Sequence, residues 1–109
     1  MDLNDYQAAA LQTAVYPNRG ANFAYPALGL AGEAGEVADK LKKVIRDNNG
    51  VLTDEVRDAV AKEIGDVLWY VAVLASEMNY ALDRVAQNNL DKLASRQQRG
   101  VISGSGDNR

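Results

Sequence analysis

Two short phrases of this chain put carboxylates where they can act together: Gly32-Glu33-Ala34-Gly35-Glu36 and, further along, Glu63-Ile64-Gly65-Asp66. In each, the acids stand three residues apart, which on a helix sets them on one face, and their neighbours on that face are apolar. Carboxylates gathered on the inner side of helices repel one another and lose hydration, so a positive group belongs among them. The chain has no histidine and no cysteine. Imidazole and thiolate chemistry are therefore excluded, disulfides with them, and any metal or acid-base work falls to carboxylates. An all-oxygen set suits a hard ion, Mg²⁺ first with Mn²⁺ as a substitute. Mg²⁺ keeps several waters and completes its shell with substrate phosphates, which points to a nucleotide. A ferritin-like di-iron bundle needs Glu-x-x-His and does not fit.

Spacing is the weaker half of this reading. With 15 acidic residues the chain holds five pairs three apart: Asp2/Asp5, Glu33/Glu36, Glu36/Asp39, Glu55/Asp58 and Glu63/Asp66. Roughly two would arise by chance. What sets Glu33/Glu36 and Glu63/Asp66 apart is inward placement beside Gly32, Gly35 and Gly65. Each glycine inside a helix costs about 1 kcal/mol relative to alanine, and its missing side chain lets a helix or a ligand come close.

The elements that must position these acids read as helices. The first starts after Leu3, capped by Asn4 or Asp5, runs through Ala14 and ends at Pro17-Asn18-Arg19-Gly20. The second takes Pro26 in its first turn and stops near Asp47, before Asn48-Asn49-Gly50. Its apolar stripe includes Leu30, Ala34, Val37, Leu41, Val44 and Ile45. The third is capped by Thr53 or Asp54 and reaches about Asn79, with Val60, Ile64, Val67, Val71, Leu74 and Met78 in its stripe. The fourth spans about Leu82 to Arg96, its apolar side carrying Leu82, Val85, Ala86, Leu90 and Leu93. No alternating strand pattern competes, so the expected fold is all-α, a four-helix-bundle-like arrangement around two long antiparallel helices. Residues 1–100 form one domain and 101–109 a flexible tail. Apolar surface left on both sides of so small a bundle favours a homo-oligomer, a dimer or a tetramer.

At 109 residues, 47% hydrophobic and 25% charged, the composition is that of an ordinary globular domain. A net charge of −3 gives no general footprint for a nucleic-acid polymer. The start Met1-Asp2-Leu3-Asn4-Asp5 lacks the regions of a signal peptide, and the run Val67–Ala75 is too short to span a membrane. The expected location is the cytoplasm.

Glu33-x-x-Glu36, a spacer of 26 residues and Glu63-x-x-Asp66 resemble the MazG-like all-α nucleoside triphosphate pyrophosphohydrolases. Leu30 to Val37 and Glu63 to Tyr70 look like that family's two core helices, and Asn89-x-x-Lys92-x-x-x-Arg96 looks like its downstream segment. The resemblance covers about Leu3 to Arg96. It implies that Glu33, Glu36, Glu63 and Asp66 bind Mg²⁺, that the substrate is a nucleoside triphosphate, and that the products are its monophosphate and pyrophosphate. Glu33 or Glu36 is then the base that activates water.

Around that centre, Tyr70 follows Asp66 by one turn and is placed to stack on or bond the nucleoside, while Trp69 points about 100° away, towards core or interface. Lys92 and Arg96 share one edge of the fourth helix with Asn89, an arrangement suited to phosphate contact. Lys40, Lys43 and Arg46 read as solvated charges near a helix C-terminus. The competing function is a non-catalytic helical oligomer whose acids hold Mg²⁺ or Ca²⁺ structurally or contact another protein.

Overall fold

Thr53 Oγ1 accepts the Val56 N–H at 3.2 Å, and this cap starts one of the two long helices that organise the molecule. The computed structural model describes all 109 residues, as four helices and no strand: α1 (Leu3–Leu11), α2 (Ala24–Asp47), α3 (Asp54–Glu77) and α4 (Leu82–Gln98). The all-α expectation holds. Both α2 and α3 have 24 residues, about 36 Å each, and they run antiparallel. Gly29 lies against Tyr70, Lys40 against Glu63, and Val44 shares a cavity wall with Val56. In this chain α2 packs only on α3, while α3 also meets α1 and α4, and α1 meets α4.

Local chemistry sets the ends of the long pair. Asn49 and Gly50 take positive φ values of 53° and 76°, and the Gly50 N–H turns back to the Val44 carbonyl at 3.1 Å. Asn79 does the same after α3 with φ 62°, so that helix stops at Glu77 rather than at Asn79 itself. Asn22 Oδ1 accepts the Tyr25 N–H at 3.1 Å where α2 begins, just before the buried Pro26.

The first helix departs from expectation. Its cap is Asp2, which forms a reciprocal box with Asp5, and it ends at Leu11, because the chain must turn to bury Ala14 and Tyr16. Asn4, expected as that cap, instead accepts the Asp83 N–H at 3.0 Å. The buried Gln7 accepts the Leu82 N–H at 3.0 Å and donates to the carbonyls of Ala72 and Tyr80. The first two N–H groups of α4 are thus capped from α1, and Ala81, which precedes them, has no side chain to do so.

Small residues form the core. Ala10, Ala72, Ala75 and Leu82 make one buried cluster, Ala14, Tyr16 and Val73 another, and Trp69 packs against both. The Trp69 indole N–H donates to Thr13 Oγ1 at 2.9 Å. Ile45, Ile64 and Leu90, which the sequence assigns to apolar stripes, stay more than half exposed in the single chain. No helix is long and apolar enough to cross a membrane.

Candidate active site

The antiparallel register of α2 and α3 sets Glu33 opposite Glu63 and Asp66. One carboxylate oxygen from each of the three lies within 4.8 Å of the others. Glu33 and Glu63 are half-buried between the helices, and Asp66 is more open. Glu36, one turn along α2, is exposed and stands outside the trio. Contact with the Glu63 carboxylate pushes the Glu33 carboxyl above the ordinary glutamate range; burial and the charges of Glu63, Asp66 and Glu36 push it the same way. This group of oxygens favours a shared proton or a cation. Lys40, on the same face of α2, brings its Nζ to 3.7 Å from Glu63 Oε1 and supplies part of that charge. Lys40, expected as a solvated charge, lies on this face because it follows Glu33 by seven residues, two turns of α2.

The glycines behave differently from expectation. Nothing lies within 4 Å of where a Cβ would stand at Gly32, Gly35 or Gly65, so none of them is a helix-crossing point within this chain. Gly29 is that point, since a Cβ there would overlap the Tyr70 ring. Tyr70 fills the notch, and burial raises its pKa, with Tyr25, Glu33 and Asp66 nearby adding to the shift. Its ring meets Trp69 edge-on, centroids 4.9 Å apart.

The residues expected on α4 sit apart from the trio, because α4 does not pack on α2. Asn89 and Lys92 line a cavity of about 380 Å³ with Tyr80, Val85 and Asn88. Arg96 is buried, and its Nη2 donates to the Asp107 carbonyl at 2.6 Å and lies 3.4 Å from Asp107 Oδ1. Lys92 Nζ is 3.2 Å from the same Oδ1. Lys92 first, then Arg96, holds the Asp107 carboxyl below its usual range. Residues 101–109 therefore turn back along α4, and the Arg109 guanidinium bonds the carbonyls of Val101, Ile102 and Gly106.

A pair of long helices facing three carboxylates narrows the choice of family, and comparison decides it. Residues 25–101 match the MazG nucleotide pyrophosphohydrolase domain. The chain belongs to the MazG family. The resemblance carried by the doubled acid motif is borne out, and the matched segment takes in α2, α3 and α4 with every residue assigned above to the site. Helix α1 and the loop that follows it lie before the MazG match. The chain is also 52% identical to the "Gene 37 protein" of Mycobacterium phage L5, with all of both chains covered. No solved structure matches it.

Proposed function

We propose that this MazG-family chain hydrolyses a nucleoside triphosphate, ribo or deoxy, to the monophosphate and pyrophosphate, in nucleotide-pool cleansing or nucleotide regulation. The observation that carries this reading is the convergence of Glu33, Glu63 and Asp66 from two helices onto one small volume. The donor set fits a hard divalent cation: three carboxylates, one of them made reluctant to ionise by its neighbours, with a single lysine at the edge. Mg²⁺, or Mn²⁺ in its place, would be held by Glu33, Glu63 and Asp66. When bound, it supplies charge neutralisation on the phosphate oxygens.

The protein's own groups do the rest. Glu36 stands one turn from Glu33, outside the trio, so its carboxylate is free to take a proton from the attacking water. That water attacks phosphorus, the bond to the pyrophosphate leaving group breaks, and the leaving group departs as an anion. Tyr70, wedged at Gly29 beside Glu33, borders the place where the nucleoside joins the phosphates. Lys40 holds Glu63 until a cation replaces it. Because α4 stands apart from the trio within one chain, Lys92 and Arg96, with Asn89 beside them, reach the phosphates only once the tail has moved off them and α4 is brought to the trio, by movement or from a second copy of the chain.

Pyrophosphate release from a panel of ordinary, deoxy and modified triphosphates tests the activity. Glu36→Gln is expected to lower kcat by about 100-fold or more while cation binding persists. Glu33→Gln is expected to weaken both. Full activity in both variants would remove the site.

A further inference from the structure

Glu77 ends α3, where an acidic side chain opposes the helix dipole. Its carboxylate is occupied by the loop between α1 and α2: the Tyr16 hydroxyl donates to Oε1 at 2.5 Å, the Gly20 N–H at 2.9 Å, and the Asn22 N–H reaches Oε2 at 3.3 Å. That loop has no helix or strand to place it, so these bonds, together with the burial of Ala14 and Tyr16 against Val73, set its position. Burial and the Glu77 hydrogen bond push the Tyr16 hydroxyl up to about 12, so it remains a donor throughout the physiological range. The Tyr16 ring is itself buried and lies flat on Tyr25, with centroids 4.6 Å apart and planes 5° from parallel.

Tyr25 is the outer member of this stack, 44% exposed. Tyr25 stands in the first turn of α2, one turn before Gly29, against which the Tyr70 ring packs, and Glu33 follows Gly29 by one turn on the same face. A continuous line of groups thus runs from Glu77 through Tyr16, Tyr25 and Tyr70 to the acid cluster. A nucleotide whose phosphates lie at that cluster carries a flat base, and a flat aromatic ring with a solvent-facing surface is the chemistry that receives one.

We propose that Glu77 is a positioning residue, holding the loop so that Tyr16 backs Tyr25 and Tyr25 forms a stacking surface for the base of the substrate. The inference rests on the pyrophosphohydrolase reading and adds to it a residue outside the acid cluster. Stacking accepts any base, so the surface raises affinity for nucleotides as a class without choosing among them.

The test compares two ligands: a nucleoside triphosphate as substrate, and inorganic tripolyphosphate, which has no base, as competitor. In Tyr25→Ala and Glu77→Ala, KM for the nucleotide is expected to rise about tenfold with kcat within about threefold of wild type. The inhibition constant of tripolyphosphate should not move. Tyr25→Phe keeps the ring and should retain most of the nucleotide affinity that Tyr25→Ala loses, and Glu77→Gln should recover part of the loss, because its amide oxygen still accepts. Tyr25 is largely at the surface, so its truncation tests the stacking surface even where loss of Glu77 loosens the loop. A parallel rise in KM and in the tripolyphosphate constant, or no change in either, overturns the proposal. An active wild type with an unmoved Tyr25→Ala defeats this inference alone, whereas a wild type that releases no pyrophosphate from any nucleotide defeats the activity and this inference together.

Discussion

At the scale of single residues, Glu33 shows how a site can be stored at a cost to the fold. Its pKa is raised in the folded chain, first by the Glu63 carboxylate, from an ordinary value of 4.5. The folded state therefore holds this proton more tightly than the unfolded state does. Below pH 4.5 both states are protonated and the effect vanishes; as pH climbs through the raised folded value, stability is lost and the loss then levels off. Glu33→Gln removes the titration, so the cation-free variant should melt higher than wild type at pH 7, with the difference shrinking towards pH 4. Adding Mg²⁺ should raise the wild-type melting temperature and do little for the variant. Melting curves from pH 4 to 8, with and without Mg²⁺, check this, and a difference independent of pH and of Mg²⁺ would contradict it. Which of the four acids converge was only partly legible. Spacing puts Glu33 and Glu36 on one face, but the sideways register of α2 on α3 brings Glu33 into the trio and leaves Glu36 outside, and register is a property of packing.

Among the elements, the long helices were the legible ones, because their ends are written locally in Pro26, Asn49, Gly50 and Thr53. The attachment of α1 was not. Gln7 bonds groups 65 to 75 positions away, and nothing near it in sequence announces those partners. Gln7→Met keeps the shape and removes all three bonds, leaving a buried N–H and two carbonyls short of partners. A loss of about 3 kcal/mol is expected, measured as a shift in the urea midpoint; no shift would show that water replaces the amide. Tail and α4 make a second such pair. Lys92 and Arg96 are both engaged by Asp107, so under the proposed function a substrate phosphate has to displace that carboxylate to reach them. Asp107→Asn weakens the hold and should lower KM about threefold with kcat unchanged. A raised KM would mean that the tail assists binding instead.

For the whole molecule, the surface itself is the anomaly. The chain exposes 7630 Å² at 11.8 kDa, roughly 1,700 Å² beyond the ~5,900 Å² of a folded monomer that size. Its radius of gyration is 16.7 Å against about 13 Å for a globule of this length. The long hairpin exposes Leu28, Leu41, Ile45, Ile64 and Leu68, and α2 is covered by α3 alone. Leu41, Leu52, Val60, Ala61 and Ile64 line a groove on one face of it, and Leu30, Val71, Leu74, Met78 and Val85 line a larger cavity elsewhere. Two chains each hiding about 1,700 Å² would fall within the interface sizes of obligate homodimers, and a second apolar face leaves room for a dimer of dimers. We therefore expect sedimentation at twice 11.8 kDa or more at micromolar concentration. Ile64→Glu, which places a carboxylate in a groove whose lining is apolar apart from Arg57, should dissociate the assembly or unfold it, because the isolated chain buries only 11 of its residues. A wild type that sediments as a monomer over a hundredfold concentration range, with an Ile64→Glu variant equally folded and equally monomeric, would show that the open hairpin is stable alone.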